Sequence, residues 1–137
     1  MEMTKFDARA AADRGAWLHL LHPETGEPMM DGAKPCRVRV LGMQSRTAVA
    51  IASASLRARN GQEFDISDIE GNHARNVADT AKLIAEFENM SRNGKPMTPD
   101  DAEWFLALTM PMGGKGKSFV EQVNLFSQEQ AAGLGNE

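Results

Sequence analysis

Residues 36–40 read "CRVRV", an alternation of apolar and charged side chains without a break. Successive side chains on a strand point to opposite faces, so Cys36, Val38 and Val40 share one face and Arg37 and Arg39 the other. This is the pattern of a half-buried strand with one wet face. Upstream, "AWLHLL" (16–21) is apolar with an aromatic and suits a second strand. Between them "HPETGEP" (22–28) carries Pro23 and Gly26, residues that set turns. Asp31-Gly32 adds a second turn dipeptide. Residues 16–41 are therefore expected to form a small antiparallel sheet of two or three strands, ended by Gly42. Residues 1–15 are expected to be a flexible lead-in.

Beyond Gly42 the pattern changes to helix. "QSRTAVAIASASLRARN" (44–60) is alanine-rich, which allows close approach of a neighbour, and Asn60-Gly61 is placed as its C-cap. "QEFDISDIEGN" (62–72) reads as a polar connector. From about His73 to Met90 the spacing of Val77, Ala81, Ile84 and Phe87 predicts a helical stripe, broken by "SRNGKP". Thr98 with Pro99 and the acids behind it form a helix start, leading into Trp104, Phe105 and Leu108. "PMGGKGK" (111–117) breaks the chain again. Ser118 with Glu121 three later has capping-box form, and Phe119, Val123 and Phe126 share a face of the closing helix. The expected fold is α+β: one domain over 16–132, with a sheet in 16–41 and about four helices in 43–132 packed on one face of it.

The 137 residues suit one domain, able to bury roughly two-thirds of the surface of the unfolded chain. No apolar run is long enough to span a membrane, and the N-terminus lacks the apolar core of a secretory signal. A single cysteine, Cys36, excludes an internal disulfide and suits a reducing cytoplasm. Net charge is −4, unevenly spread: no acid occurs from Ala33 to Gln62, where six basic residues lie. That imbalance raises nucleic acid as a partner. The arginines, however, alternate on a strand or sit at helix ends, and overall acidity opposes non-specific phosphate binding. No nucleic-acid partner is expected.

His19 and His22 lie three apart, with Glu24 and Glu27 behind. On a strand that spacing points them to opposite faces, and the i, i+4 spacing of a helical ligand pair is absent. "GGKGKS" ends like a phosphate loop, but Pro111 stands at the first glycine position and the segment follows a helix rather than a strand. Cys36 shares the apolar strand face, where a thiol is inert. The serines lack a glycine elbow. No enzyme, metal or cofactor is expected. What remains is apolar surface. The last two helices meet across a glycine hinge and are expected to offer Phe105, Met110, Met112, Phe119 and Phe126 as a groove for a partner helix. The methionines would adapt to varied segments.

The order of these features resembles a known family. "LHLLHPETGEPM" before the basic strand "CRVRVLGMQS" is similar to the N-terminal part of tail assembly chaperones of long-tailed (siphovirus-type) bacteriophages and prophages. "NGKPMTPDDAEWFLAL" resembles that family's glycine-x-proline turn and the helix start after it. "KSFVEQVNLFSQEQAAGL" resembles its closing helix, where an aromatic or isoleucine precedes Gln-Val and then Phe. Together these cover most of residues 13–134 in family order. The family often has a tryptophan near the end of its long helix, where this chain has Phe87 or Met90. The resemblance implies a non-catalytic protein of the bacterial host cytoplasm that binds the tape-measure protein and assists assembly of tail-tube subunits around it. Such a chaperone is absent from the mature virion. Self-association stays open, as does the alternative of a structural virion protein, a minor tail or connector component acting by protein–protein contacts. The resemblance also implies that "HLLHPETGEP" is a structural corner.

Overall fold

The alternation at 36–40 becomes the central strand of the molecule. The computed structural model describes residues 1–59, 65, 67–111 and 116–132. In chain order the described elements are α1 (Ala8–Arg14), β1 (Ala16–His19), β2 (Met30–Asp31), β3 (Lys34–Pro35), β4 (Arg37–Val40), α2 (Arg46–Arg59), α3 (Ile69–Ala81), β5 (Ile84–Glu88), β6 (Ser91–Arg92), β7 (Lys95–Pro96), α4 (Ala102–Ala107) and α5 (Phe119–Ala132). Short 3-10 turns precede α1 and α4. The fold is α+β, with small antiparallel sheets, as the sequence predicts.

The main sheet has the order β1-β4-β5, antiparallel throughout. On its inner face Val38 and Val40 are fully buried. Opposite them stand Leu18 and Ala16 of β1, and Phe87 and Ile84 of β5. The outer face carries Trp17, His19, Arg37, Arg39, Glu86 and Glu88, matched across the strands. Arg37 grips Glu88 through both carboxylate oxygens at 2.7 and 2.8 Å, and its guanidinium lies 5.0 Å from the Trp17 ring centroid. Arg39 reaches Glu86 at 2.7 Å. The helices cover the inner face. Phe105 of α4 stacks on Phe119 of α5, centroids 4.4 Å apart, and meets Phe87 of β5 edge-on at 5.3 Å. Leu20, Leu83, Met97, Leu106, Val120 and Val123 complete this core.

Three expectations are corrected. The stripe from His73 to Met90 is not one helix: α3 ends at Ala81, and 84–88 is the third strand of the sheet. Val40 pairs Ile84 while Arg39 pairs Glu86, so Ala85 is an extra residue in the ladder. Such a bulge puts Ile84 and Phe87, three apart, on one face of a strand and so imitates helical spacing. Glu86 and Glu88, two apart, are the counterpart of Arg37 and Arg39 and mark the strand. Phe87 is therefore a strand residue rather than one near the end of a long helix. The sheet thus draws on the part of the chain expected to be helical.

Residues 8–14, expected to be flexible, form a helix. The Asp7 carboxylate accepts from the Ala10 N–H at 2.9 Å, and Gly15 closes the helix in the left-handed region. Ala12 is buried, and its carbonyl accepts from the Gly42 N–H at 3.0 Å. A Cβ on Gly42 would lie 2.9 Å from the Ala12 Cβ. The contact is built from the smallest side chains, which a search for large apolar residues passes over. "SRNGKP" is a hairpin rather than a break: Asn93 and Gly94 both take positive φ between β6 and β7, the turn that suits strand twist.

The helix starts stand where the sequence places them. The Asp101 carboxylate accepts from the Thr98 N–H at 3.0 Å. Ser118 Oγ accepts from the Glu121 N–H, and the Glu121 carboxylate accepts in return from the Ser118 N–H, both at 3.3 Å. The Asn60-Gly61 cap lies outside the described residues.

Arg37→Glu is expected to lower stability, and Glu88→Arg in the same chain to recover most of the loss. The pair is about one-third exposed, so the coupling from a double-mutant cycle in urea should be only ~0.5–1 kcal/mol. Strictly additive losses would mean that Glu88 does not face Arg37.

Candidate partner-binding surface

The corner after β1 is held by its own side chains and by α5. His22 Nδ1 accepts from the Glu24 N–H at 3.1 Å and faces the Thr25 N–H at 3.4 Å, closing a turn about Pro23. The His22 N–H donates to the Glu27 carbonyl at 2.7 Å, and Leu21 bridges Pro28. His19 points to the outer sheet face, where Nε2 bonds the Met29 carbonyl at 2.9 Å. The two histidines are thus engaged separately. Among the described residues no three His, Cys, Asp or Glu side chains gather as a metal would need.

Two later segments dock on this corner. Gln122 of α5 accepts from the Leu21 N–H and donates to the Leu21 carbonyl, both at 2.8 Å. Its amide also donates to the Lys117 carbonyl at 2.9 Å. Gly116 lies so close to the corner that a Cβ there would collide with the Pro23 carbonyl. Gly116, the second glycine position of the phosphate-loop look-alike, is therefore a close-approach residue, pressed on a turn. The Gln122–Leu21 contact joins residues about a hundred apart, beyond the reach of any local pattern. The only local sign was a glutamine on the apolar face of a helix, where its amide needs a partner.

The five residues expected to form the groove separate. Phe105 and Phe119 are 2% and 6% exposed and form the aromatic centre of the core, so neither is surface in this structure. Phe126 is half-buried and lines a depression of about 800 Å³ under α1, with Gly42, Met43 and Gln130. Met110 is half-buried. Met112 lies outside the described residues. The helix stripe was legible, but α4 has two apolar sides, and packing decided between them. Ala102, Phe105 and Leu106 turn inward, while Trp104 and Leu108, one turn apart, stay exposed at 37% and 52%. The Arg92 guanidinium lies 4.3 Å from the Trp104 ring centroid. Among the described residues of this segment, Trp104 and Leu108 are the large apolar side chains left exposed, and half-buried Met110 follows two residues later in the chain.

Cys36 is buried, and its thiol donates to the Asn89 carbonyl at 3.4 Å. Burial first, and the Asp31 carboxylate second, push its pKa above the usual thiol value, which keeps the unreactive neutral form. His73 has both ring nitrogens buried without a hydrogen-bond partner among the described residues. No helix among the described residues is long and apolar enough to cross a membrane. Comparison with protein-family models, with curated proteins and with solved structures finds no match.

Gln122→Leu is expected to cost about 1–3 kcal/mol in chemical unfolding, because it strips partners from the Leu21 amide and carbonyl. A neutral result would mean that water replaces the amide at the corner. Cys36 should react with an aromatic disulfide reagent at least about tenfold more slowly in the native state than in denaturant. Equal rates would place the thiol at the surface.

Proposed function

We propose that this chain is a tail assembly chaperone of a long-tailed bacteriophage or prophage, acting in the host cytoplasm without catalysis. The observation that carries the proposal is the ordered set of motifs across residues 13–134 that resembles that family. The packing supports treating the motifs as one unit: Gln122, in the closing segment, holds the backbone of Leu21, in the opening one.

The tape-measure protein is the proposed partner. It is long, helical and apolar along its stripes, and aggregates unless those stripes are covered. Trp104, Leu108 and Met110 offer a shallow apolar surface for one such stripe. Aromatic and flexible side chains tolerate several partner shapes. A shallow surface gives modest affinity and rapid release, so tail-tube subunits displace the chaperone as they assemble.

Co-expression with the long helical protein encoded nearby, followed by pull-down, tests the reading. The two are expected to co-purify, and the tape-measure protein is expected to precipitate when expressed alone. Trp104→Ala with Leu108→Asp should weaken capture by at least about tenfold, with the fold kept because both side chains are exposed. Mass spectrometry of purified particles should find the chain absent. A fixed copy number in the particle would replace the chaperone by the other reading, a structural tail or connector component.

A further inference from the structure

α2 packs on the core along one side, and its first residue is tied to α1 through Asp13. Ala48 is buried, Ile51 packs on the core, and Ser55 Oγ donates to the Asp79 carboxylate of α3 at 3.4 Å. Its start is held by Ser45 Oγ, which accepts from the Ala48 N–H at 3.1 Å. At about 100° per residue, Val49, Ala52, Ser53 and Leu56 fall within a single stripe turned away from that anchored side. All four are exposed, Val49 at 44% and Leu56 at 72%. Val49 near the start of the helix and Leu56 near its end are the large apolar side chains of this stripe.

The charges beside the stripe are of one sign. Arg46 and Arg57 project along one edge of it, at nearly the same angle about the helix axis. Both are exposed. Arg46 touches the Asp13 carboxylate at 3.4 Å, and Arg57 has no ion-pair partner among the described residues. No acid occurs in the sequence between Ala33 and Gln62, and among the described residues the acid paired at this edge is Asp13 of α1.

We infer that this face of α2 docks an amphipathic helix of another protein whose apolar stripe is flanked by acidic side chains. The apolar stripe supplies the contact and the arginine edge selects the partner's charge and orientation. A second copy of α2 is a poor occupant. Packed antiparallel about the middle of the helix, it would set Arg46 of one copy beside Arg57 of the other, and like charges there oppose the pairing. The inference is independent of the tape-measure surface, which lies on α4, and stands if that reading fails.

Two synthetic helical peptides test it, identical in a leucine stripe and differing only in having glutamate or lysine flanks. Each is titrated into isotope-labelled full-length protein while backbone amide shifts are followed. The glutamate peptide should bind, with shifts concentrated over residues 46–57, and bind at least about tenfold more tightly than the lysine peptide at low salt. Raising ionic strength to ~0.5 M should close most of that gap. Leu56→Asp should abolish binding, and Arg57→Glu should invert the preference between peptides. Neither should shift the thermal melt by more than a few degrees, because both side chains are exposed. Equal binding of the two peptides, shifts centred elsewhere, or no binding by either would overturn the inference. So would the same α2 shifts on concentrating the protein alone, which would make a second copy the occupant.

Discussion

The two faces of β4 constrain nearly everything else in the molecule. Val38 and Val40 are fully buried, while Arg37 and Arg39, which alternate with them, are half-exposed on the other face. A one-residue slip of this strand would exchange the faces, burying both guanidinium groups and exposing both valines. Each valine is worth roughly 1.5–3 kcal/mol on burial, whereas a surface ion pair is worth less than about 1 kcal/mol. Burial therefore sets which way the strand faces. The ion pairs have a different consequence. Arg37 with Glu88 and Arg39 with Glu86 favour one register for β5, in which Val38 meets Phe87 and Phe87 reaches the Phe105–Phe119 stack.

α5 closes the structure through polar groups as much as apolar ones. Its apolar side presents Phe119, Val120 and Val123 to the core. Its polar side chains bond backbone groups of distant segments. Gln122 serves Leu21, Ser127 donates to the Leu41 carbonyl at 2.6 Å, and Gln130 donates to the Val40 carbonyl at 2.7 Å. Ser127 is fully buried and Gln122 nearly so. Unpartnered, such groups would cost more than the bonds contribute. α5 is thus matched to the corner after β1 and to the exit of the central strand, segments about ninety to a hundred residues earlier.

That arrangement also sorts apolar side chains between core and surface. α4 is short and amphipathic in an unusual sense: Phe105 and Leu106 go inward, and Trp104 and Leu108 remain outside. α2 is held along one side and presents Val49 and Leu56 on another. Both helices thus keep apolar side chains exposed instead of turning them into the core. Mounting them on helices anchored from behind is a physical way to keep them exposed.

The local sequence determined much of this protein. The alternation at 36–40, the turn residues of 22–28 and 31–32, the caps at Thr98 and Ser118, and the burial of Cys36 all follow from side-chain direction or short-range hydrogen bonds. Each needs only a few neighbouring residues. The α+β class was legible for the same reason. The third strand was not, because the bulge at Ala85 gave Ile84 and Phe87 a helical spacing, and their true partner is β4, more than forty residues earlier. Nor was α1, whose packing on Gly42 uses alanine and glycine rather than large apolar groups. Among the groove residues, the periodicity located the apolar stripes correctly but could not say which would be covered. Whether Phe105 or Trp104 faces inward depends on what lies across from α4, and Phe87 and Phe119 come from distant parts of the chain. Pattern within a segment is a local property; the choice between core and surface is a property of the neighbours, and only the tertiary structure supplies them.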